Sequence, residues 1–598
     1  MEKIYTYFQE NIRKNEQMIS HLKRKIHTIG TLRLLIVLIA IFLFYFVPFP
    51  TWPERIAVLV LFAIPFIGLM VYHNLLFSKR TDCETLLTYN QNELKALDYD
   101  FSAFDGAPEE QDSEHAFSLD LDLFGEHSLF QSINRCTTYF GKRHLAEWMK
   151  QPLTEKDSIV KRQEAIRELA GLPNQFQSFY LLGQRKQGKG NDIRNLEQLG
   201  NDSNHFAGNH FWRVLIWAVP LLWVLLTGGY LLGFIAEKWL GMHLLISFII
   251  AYWRAKEIYR LHLSVDKIEH ILETYAELIK HIEERNFKAP ILNELQRHFF
   301  KGNRKASGLL KTLSRHIGAL NQRFSLAGMI LNILYLRDTR QAIALEQWRT
   351  EHKEDITDWI MALADFDALS SLGNYAFTHP DFTYPEIAEN YFRMQGEQVG
   401  HPLLNRKQCV KNPIDIPRSP WFLIITGANM AGKSTYLRTI GVNYLLACMG
   451  LPVCAKRLEI YPARLVTSLR TSDSLAGNES YFFAELKRLK MIISRLQAGE
   501  QLFIILDEIL KGTNSIDKQK GSMALMKQLI AYNACGIIAT HDLILGSLEQ
   551  EFPHQIKNYR FEADIRNDEL SFSYQLQEGI AQNMNACFLM KKMGITVD

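Results

Sequence analysis

One stretch of the chain combines a buried-strand pattern with a phosphate-binding spacing. The apolar run Trp421–Thr426 leads directly into residues 427–435, which read Gly-Ala-Asn-Met-Ala-Gly-Lys-Ser-Thr. This is the spacing G-x-x-x-x-G-K-[ST], in which converging backbone N–H groups and the N-terminus of the following helix bind phosphates. The lysine would contact the β- and γ-phosphates, and the serine hydroxyl would bind Mg²⁺. The pattern predicts a nucleoside triphosphate site formed by Gly427, Ala428, Asn429, Met430, Ala431, Gly432, Lys433, Ser434 and Thr435.

Two further apolar runs end in residues that would complete this site. Leu502–Leu506 is followed by Asp507 and Glu508, and Gly536–Thr540 is followed by His541. Continuous apolar runs are typical of parallel strands that are buried on both faces. Asp507 would reach the metal through water, and Glu508 would orient and deprotonate the attacking water. A histidine at a strand end is usually structural, but third in this ordered set it is better explained as a γ-phosphate sensor. The three runs predict an α/β phosphate-loop core that hydrolyses ATP, with ATP and Mg²⁺ as cofactors.

The composition bounds the class of protein. The 598 residues are enough for several domains with sizeable cores, and the net charge of +3 gives no strong basic field that would by itself indicate nucleic acid. The seven cysteines form no C-x-x-C pair and no metal-ligand spacing. They indicate a reducing compartment and argue against both a disulfide framework and a zinc site.

Two apolar runs near the N-terminus are long enough to cross a membrane. Residues 1–30 are typical of a basic amphipathic helix, and the runs Leu34–Pro48 and Ile56–Phe77 follow, separated by a short polar turn. Each run approaches the ~20 residues that a bilayer core requires. Their position argues against a cleaved signal peptide, and their lack of a polar face argues against a buried hairpin. Because Lys and Arg flank the outer ends, we expect a transmembrane hairpin over residues 31–80 with both ends in the cytoplasm.

A second apolar pair predicts another hairpin over residues 211–254. Its first run is Trp212–Ile235, and its second is Trp239–Trp253. The last run is short and contains His243, so a re-entrant or interfacial position remains open. Four spans would return the chain to the cytoplasm. The prediction is a multi-pass protein of the cytoplasmic (inner) membrane, with membrane lipid as a partner and the ATPase domain in the cytoplasm.

The remaining sequence before the phosphate loop predicts helices. Residues 81–210 would form the first part of a helical core domain, and residues 255–395 would form long charged helices such as Ile258–Phe287 and Leu345–Ala376. Those lengths favour lever-like helices over a compact bundle. Residues 396–598 would form the ATPase domain. The predicted fold is therefore multidomain, with transmembrane hairpins, an all-α core and lever domain, and a C-terminal α/β P-loop NTPase domain.

Several longer motifs surround the predicted site. They are residues 426–438 with the loop asparagine and methionine, 473–476 (Asp-Ser-Leu-Ala), 480–485 (Ser-Tyr-Phe-Phe-Ala-Glu), 507–517 and 539–541. Together they resemble the MutS family of DNA mismatch-repair ATPases. Upstream, Leu123–Pro152 is similar to the start of that family's core helical domain, and Trp359–Leu372 to its last long helix. The resemblance covers about residues 117–598 apart from the apolar insert, and it implies an ABC-type ATPase domain of the MutS kind.

The resemblance implies residue roles and an assembly. Glu508 matches the family's catalytic carboxylate, and His541 matches its γ-phosphate sensor. Asn429 matches the loop asparagine, and Ser480 matches the serine that reaches the nucleotide of the partner subunit. The Gly512-Thr513 turn would belong to the segment that faces the partner. Because half of each site would come from the other chain, the resemblance implies a homodimer through the ATPase domains.

The chain also departs from the family pattern. A membrane hairpin stands where the family has its N-terminal mismatch-reading domain, and little sequence remains for a DNA clamp. Phe124-Gly125-Glu126 matches the family's mismatch wedge in three letters, but it lies at the edge of the core helices, so we interpret it as coincidence. Cys409 stands about where relatives place an aromatic residue against adenine, which leaves the choice between adenine and guanine open.

Two function classes follow from these observations. The first is a membrane-anchored MutS-like ATPase that binds or processes double-stranded or branched DNA in a reaction related to mismatch repair, without recognising the mismatch itself. The alternative is a membrane-embedded ATPase motor for transport or membrane remodelling that does not act on DNA. The segment before Glu485 lacks the Leu-Ser-Gly-Gly-Gln of transporter cassettes, and the apolar runs contain no acidic residue. The family analogy favours the first class.

Overall fold

Helices make up most of the structure, and strands are concentrated in its C-terminal third. A computed structural model describes residues 1–48, 51–185, 205–265, 268–428, 431–470, 481–511, 513–566 and 569–582. The helices of these residues are α1 (Glu2–Phe46), α2 (Trp52–Leu97), α3 (Leu129–Ile133), α4 (Tyr139–Lys150), α5 (Lys156–Ala170), α6 (Pro173–Gln184), α7 (His210–Leu231), α8 (Glu237–Trp253), α9 (Ala255–Val265), α10 (Glu269–Glu283), α11 (Pro290–His298), α12 (Ala306–Asn321), α13 (Leu326–Tyr335), α14 (Arg337–Thr378), α15 (Lys433–Cys448), α16 (Tyr481–Gln497), α17 (Ser515–Ala531) and α18 (Leu548–Glu551). The strands are β1 (Phe300–Lys301), β2 (Arg304–Lys305), β3 (Glu386–Ile387), β4 (Met394–Val399), β5 (Asn412–Ile416), β6 (Trp421–Gly427), β7 (Arg457–Ile460), β8 (Arg464–Ser468), β9 (Leu502–Asp507), β10 (Cys535–Thr540), β11 (Ile556–Phe561), β12 (Ala563–Arg566), β13 (Glu569–Phe572) and β14 (Gln577–Glu578).

By length and composition, three of the described helices could cross a membrane, namely α1, α2 and α7. The predicted runs Leu34–Pro48 and Ile56–Phe77 fall almost entirely within α1 and α2, but residues 1–30 do not form a separate helix. Helix α1 is continuous over 45 residues, because its sequence contains no proline that would interrupt it. It ends before Pro48, because the residue that precedes a proline is disfavoured in a helix. The fourth predicted run corresponds to α8, which has 17 residues and is about 26 Å long.

The chain folds into two compact units. Unit 1 contains residues 1–135, 145–173 and 369–598, and unit 2 contains residues 136–144 and 174–368. In unit 2 the predicted helix Ile258–Phe287 is divided into α9 and α10. The predicted helix Leu345–Ala376 lies within α14, whose helical geometry is interrupted at His352 (φ −126°, ψ 16°).

In unit 1 the helices α1 and α2 form an antiparallel pair that is joined to the last turns of α14. Buried Leu22, Ile26 and Leu76 hold the pair together. Near the base of the pair, Arg135 Nε donates to Glu93 Oε1 at 2.6 Å, and these two side chains are 6% and 0% exposed. Asn374 Nδ2 donates to the same carboxylate oxygen at 3.2 Å. A buried ion pair thus fixes α2 to the folded core of unit 1.

The main sheet of unit 1 brings the three predicted strands side by side. Its strand order is β14-β11-β6-β10-β9-β8, and β10 pairs in parallel with both β6 and β9. The register aligns Thr540 with Thr426 and Ala539 with Asp507. The strand predictions are therefore confirmed, and the residues that follow β6, β9 and β10 meet at one edge of the sheet. A second sheet of unit 1 has the order β3-β7-β4-β5.

Candidate nucleotide site

Two glycines shape the turn between β6 and α15. Gly427 has a φ of +148° and Gly432 a φ of +104°, a region that side chains with a Cβ rarely adopt. A Cβ on Gly427 would lie 2.4 Å from the Phe561 carbonyl oxygen, and a Cβ on Gly432 would lie 3.0 Å from the Tyr574 ring. The two glycines of the phosphate-loop spacing are therefore required by both conformation and space.

Lys433, the first residue of α15, points back into this turn. Its Nζ donates to the carbonyl oxygens of Gly427 at 2.7 Å and Ala428 at 2.9 Å, and it lies 3.3 Å from His541 Nε2. Burial lowers the pKa of Lys433 to about 8, although the Asp507 and Glu508 carboxylates oppose the shift. A desolvated ammonium whose hydrogen bonds go to neutral carbonyl oxygens would gain from a phosphate, which offers full negative charge.

Ser434 and Asp507 lie next to each other, as the predicted metal site requires. Ser434 Oγ donates to Asp507 Oδ2 at 2.6 Å. No group of three or more His, Cys, Asp or Glu side chains that could hold a metal occurs among the residues that the structure describes. This donor set fits Mg²⁺ in a phosphate-loop site, because that ion takes one or two protein ligands and completes its shell with phosphate oxygens and water.

Glu508 and His541 form an ion-pair geometry at the same edge. His541 Nε2 lies 2.6 Å from Glu508 Oε1, and Lys511 Nζ lies 3.7 Å from Glu508 Oε2. The hydrogen bond from His541 lowers the pKa of Glu508 to about 2, against the opposing effect of burial. Glu508 has a φ of +50°, and its N–H donates to the Ala539 carbonyl at 2.9 Å. The carboxylate is thus ionised at neutral pH and held beside Lys433.

A cavity of about 770 Å³ opens in front of these groups, within the size range of small-molecule sites. Ala428, Gly432, Lys433, Ser434, Thr435, Asp507, Glu508 and His541 line its polar side. Its apolar side contains Cys409, Phe561, Phe572 and Tyr574, together with Val399, Leu404 and Val410. Asn412 holds the Tyr574 segment, because its Nδ2 donates to the Tyr574 carbonyl and its Oδ1 accepts from the Leu576 N–H. Polar side chains that follow the phosphate-loop spacing and an apolar surface therefore share one cavity.

Two models of one protein family match this chain. The model described as MutS domain III matches residues 115–373, and the model described as MutS domain V matches residues 423–595. The chain belongs to the MutS family. The DNA mismatch repair protein MutS of Thermotoga maritima is 30% identical over 249 residues, which are 41% of this chain and 30% of that relative. The MutS protein of Natronomonas pharaonis is 30% identical over 261 residues, or 42% of this chain and 30% of its own length.

The polar side of the cavity lies inside the MutS domain V match, whereas part of its apolar side, including Val399, Leu404 and Cys409, precedes that match. Of the predicted residues, Gly427, Ala428, Ala431, Gly432, Lys433, Ser434, Thr435, Asp507, Glu508 and His541 are described, and apart from buried Ala431 they all line the cavity or contact Lys433. The prediction for Asn429, Met430, Ser480 and Gly512 concerns positions outside the described residues. The alignments with the curated MutS proteins cover 30% of each relative, so this chain matches less than a third of their length.

The domain V match also contains Glu485, which stabilises the turn after Glu508 and which the sequence indicates only as the last residue of the motif 480–485. The Glu485 carboxylate, on α16, accepts hydrogen bonds from the N–H groups of Leu510 and Lys511. Glu485 is buried, and burial raises its pKa. It therefore fixes the turn that follows Glu508. The signal was the acid at the end of the motif 480–485, but its partner could not be inferred from spacing.

A salt-bridge cluster joins the start of the domain III match to the domain V site. Arg438, on α15 and in the cavity wall, donates to Asp122 Oδ2 at 2.7 Å. The same aspartate accepts from Arg470 at 2.6 Å. Arg438 and Asp122 are 316 positions apart in the chain, so no local pattern could have paired them. The cluster therefore connects the segment around residue 122 to α15.

Proposed function

We propose that this MutS-family chain is a membrane-anchored, Mg²⁺-dependent ATPase that binds DNA as a homodimer and does not itself recognise mismatches. The observation that carries the proposal is the meeting of Lys433, Ser434, Asp507, Glu508 and His541 at the carboxyl ends of adjacent parallel strands. These are the groups that phosphoryl transfer from a nucleotide needs, namely a phosphate-binding lysine, a metal-binding pair and a carboxylate for water.

In this mechanism each side chain has a definite task. Bound Mg²⁺–ATP would supply the transferable phosphoryl group. Lys433 would bind phosphate oxygens in place of the two loop carbonyls, and Ser434 with Asp507 would hold the metal. Glu508 paired with His541 is a weak proton acceptor, because its pKa is about 2. If His541 turned to the γ-phosphate, the pKa of Glu508 would rise towards its ordinary value and the carboxylate would become a better base.

The nucleotide part of the proposal can be tested by binding. We expect the protein in lipid nanodiscs to bind Mg²⁺–ATP with a higher affinity than the Lys433→Ala variant, measured by titration calorimetry. Lys527→Ala is the matched control, because Lys527 does not line the cavity and its ammonium pairs with Glu551 on the surface. Equal affinity of the parent and Lys433→Ala would refute the assignment of the loop.

The membrane part rests on α1, α2 and α7. Each of these helices has an apolar segment with exposed large side chains, such as Leu38 (55% exposed), Ile64 (68%) and Leu225 (59%). Exposing this much contiguous apolar surface to water would be unfavourable, whereas lipid solvates it. Both hairpins would sit in the cytoplasmic membrane with the ATPase domain in the cytoplasm. We expect the chain to remain in the membrane pellet after alkaline extraction, and its release into the supernatant would refute the anchor.

The DNA part rests on membership of the MutS family and on the apolar helices α1 and α2 in the N-terminal region. Phe124 is buried and packs against Phe130 at a ring distance of 5.4 Å, which supports reading Phe124-Gly125-Glu126 as a coincidental match. Without base readout, contacts would be mainly to phosphates and affinity would fall steeply with salt. We expect weak binding of matched, mismatched and branched duplexes to protein in nanodiscs with ATP, at similar affinities, across a salt series. A strong preference for the mismatch would contradict the proposal.

The homodimer would share its two nucleotide sites through Ser480. Mixing Ser480→Ala chains with Glu508→Gln chains tests this arrangement. If the sites are shared, one nucleotide site of the mixed dimer carries both changes and the other site carries neither, so some ATP hydrolysis returns. A mixture no more active than the two variants measured separately would show that each site is self-contained.

The motor alternative is supported by one observation in unit 1. The buried Glu93–Arg135 pair and Asn374 join α2 to the unit that holds the nucleotide cavity. Movement of that unit would therefore be transmitted to the apolar half of the helix pair. The absence of binding to any duplex or branched DNA at low salt, together with ATP hydrolysis that depends on lipid, would favour the motor.

A further inference from the structure

A short helix of unit 2, α13, has an apolar outer surface. Its residues read Leu-Ala-Gly-Met-Ile-Leu-Asn-Ile-Leu-Tyr, without a charge. The side chain of Asn332 is buried and accepts the Asp338 N–H at 3.1 Å. The large side chains that face outwards are Leu326, Met329, Ile330, Leu331, Leu334 and Tyr335, of which Leu326 is 77% exposed. The helix has therefore turned its polar group inwards and its apolar groups outwards.

This helix packs directly against the second apolar pair. It contacts both α7 and α8. At its C-terminal end, fully buried Leu336 packs with Val219 of α7 and Ala251 of α8. Both of those helices expose large apolar side chains of their own, such as Leu225 and Ile249. The apolar surface of α13 is thus continuous with the surface that we assign to lipid.

Arginines and aromatic rings border α13 at its C-terminal end. The Arg340 guanidinium lies 3.9 Å from the ring centre of Tyr335 and 4.7 Å from that of Trp217, and it donates to the Ile216 carbonyl. Arg337 donates to Gln322 Oε1 at 2.9 Å. Arginine, tryptophan and tyrosine are the residues that anchor helices at the membrane–water interface. This border favours a phospholipid surface as the occupant over a second protein.

We propose that α13 is a third lipid-contacting element of unit 2, inserted into the interfacial layer of the bilayer beside α7 and α8. Ten residues give a helix about 15 Å long, which is too short to cross a core of ~30 Å. The helix therefore lies in or dips into one leaflet and anchors unit 2 where α7 and α8 meet the membrane surface. This inference rests on the proposed membrane anchor, because it extends the same apolar surface.

Photo-crosslinking from three positions tests the inference. A photoreactive amino acid replaces Ile330 on α13, Leu225 on α7 or Lys311, an exposed residue of α12. Each full-length protein is placed in nanodiscs of phosphatidylethanolamine and phosphatidylglycerol, selected by size exclusion, irradiated and analysed by mass spectrometry. We expect phospholipid adducts from positions 330 and 225 at similar yields, and at least tenfold fewer from position 311.

The possible outcomes distinguish a failure of the α13 inference from a failure of the proposed membrane anchor. Adducts at position 225 without adducts at position 330 would overturn the role of α13 and leave the anchor intact. The absence of adducts at both positions would overturn the inference and the anchor together. A crosslink from position 330 to a second copy of the chain would identify α13 as a protein interface and would also overturn the inference.

Discussion

The nucleotide cavity of unit 1 and the apolar helices of unit 2 solve opposite problems of solvation. Around the cavity, charged groups meet partners from the same unit: Lys433 meets two carbonyls, Ser434 meets Asp507, and Glu508 meets His541. In unit 2, α7, α8 and α13 present apolar side chains outwards. The first region holds paired polar and charged groups around a cavity, whereas the second leaves large apolar side chains exposed on the described residues of unit 2.

In each of the two units, a buried glutamate carboxylate holds a helix with an apolar segment in place. In unit 1 the buried Glu93 carboxylate binds Arg135 beside α2. In unit 2 the buried Glu346 carboxylate accepts three backbone N–H groups just before α7, from His205, Phe206 and Ala207 at 2.8, 2.8 and 2.7 Å. A buried carboxylate is costly unless its hydrogen bonds are made, so each one holds its partners firmly in place.

The largest effect is expected at the nucleotide site. Replacing Glu508 with glutamine removes the ionised oxygen that pairs with His541, so ATP hydrolysis should fall by about 10²–10⁴-fold while ATP binding is retained. Glu551→Gln is the matched control, because Glu551 pairs with Lys527 on the surface. Steady-state phosphate release in nanodiscs measures both variants. Hydrolysis at the parent rate by Glu508→Gln would mean that another group orients the water.

Residue patterns predicted the positions of the three strands β6, β9 and β10, and they predicted the apolar region only in part. Each predicted strand is an uninterrupted apolar run with its polar residues at the end of the run, so the strands could be located from the sequence, whereas their register is seen only in the structure. The sequence predicted a separate amphipathic helix before the first apolar run, but the two form the single helix α1, since no glycine turn or proline separates them. Helix α13 was missed because ten residues are too few for a span. The Asp122–Arg438 pair depends on the tertiary fold alone.

The attachment of α2 should show the next largest effect. Changing Arg135 to methionine leaves Glu93 buried without its ion-pair partner, which typically costs about 3–5 kcal/mol. We expect a markedly lower thermal unfolding midpoint for the protein in nanodiscs. Arg143→Met is the control, since Arg143 is exposed and its guanidinium lies as far as 5.9 Å from the centre of the Tyr139 ring. The double variant Glu93→Gln/Arg135→Met should recover part of the loss, and no recovery would argue against a specific pair.

The attachment of α7 should show a smaller effect, because among the described residues it consists of three hydrogen bonds from backbone N–H groups to the Glu346 carboxylate. Glu346→Gln replaces a carboxylate that accepts three N–H groups with an amide that can accept through one oxygen, so at least one buried donor loses its partner. We expect a loss of about 1–3 kcal/mol in the free energy of unfolding. Exposed Glu351, on the same helix, provides the control Glu351→Gln. A midpoint shift no larger than that of the control would mean that the three N–H groups find other acceptors.

The smallest effect is a pH dependence in unit 1, at His379. This side chain stacks on Tyr375 at a ring distance of 4.2 Å, and burial lowers its pKa to about 4. In the unfolded chain a histidine has a pKa of about 6.5. Between these two values the unfolded state binds a proton that the folded state does not, so stability is present at neutral pH and falls as the pH drops below about 6.5. At pH 5.5 the expected loss is about 1.4 kcal/mol relative to pH 7.5.

The variant His379→Phe isolates this contribution, because phenylalanine keeps the ring against Tyr375 but cannot bind a proton. It loses the hydrogen bond between His379 Nδ1 and the Tyr375 carbonyl, so its absolute stability falls at both pH values. The informative quantity is the difference in unfolding free energy between pH 7.5 and pH 5.5, which should shrink by about 1.4 kcal/mol relative to the parent. Exposed His554, changed to phenylalanine in the same way, should leave that difference unchanged. An unchanged difference in His379→Phe would show that the partly buried His379 ring is protonated or exposed to water in the folded protein. The base of the helix pair would then be less tightly packed than the buried Glu93–Arg135 ion pair implies.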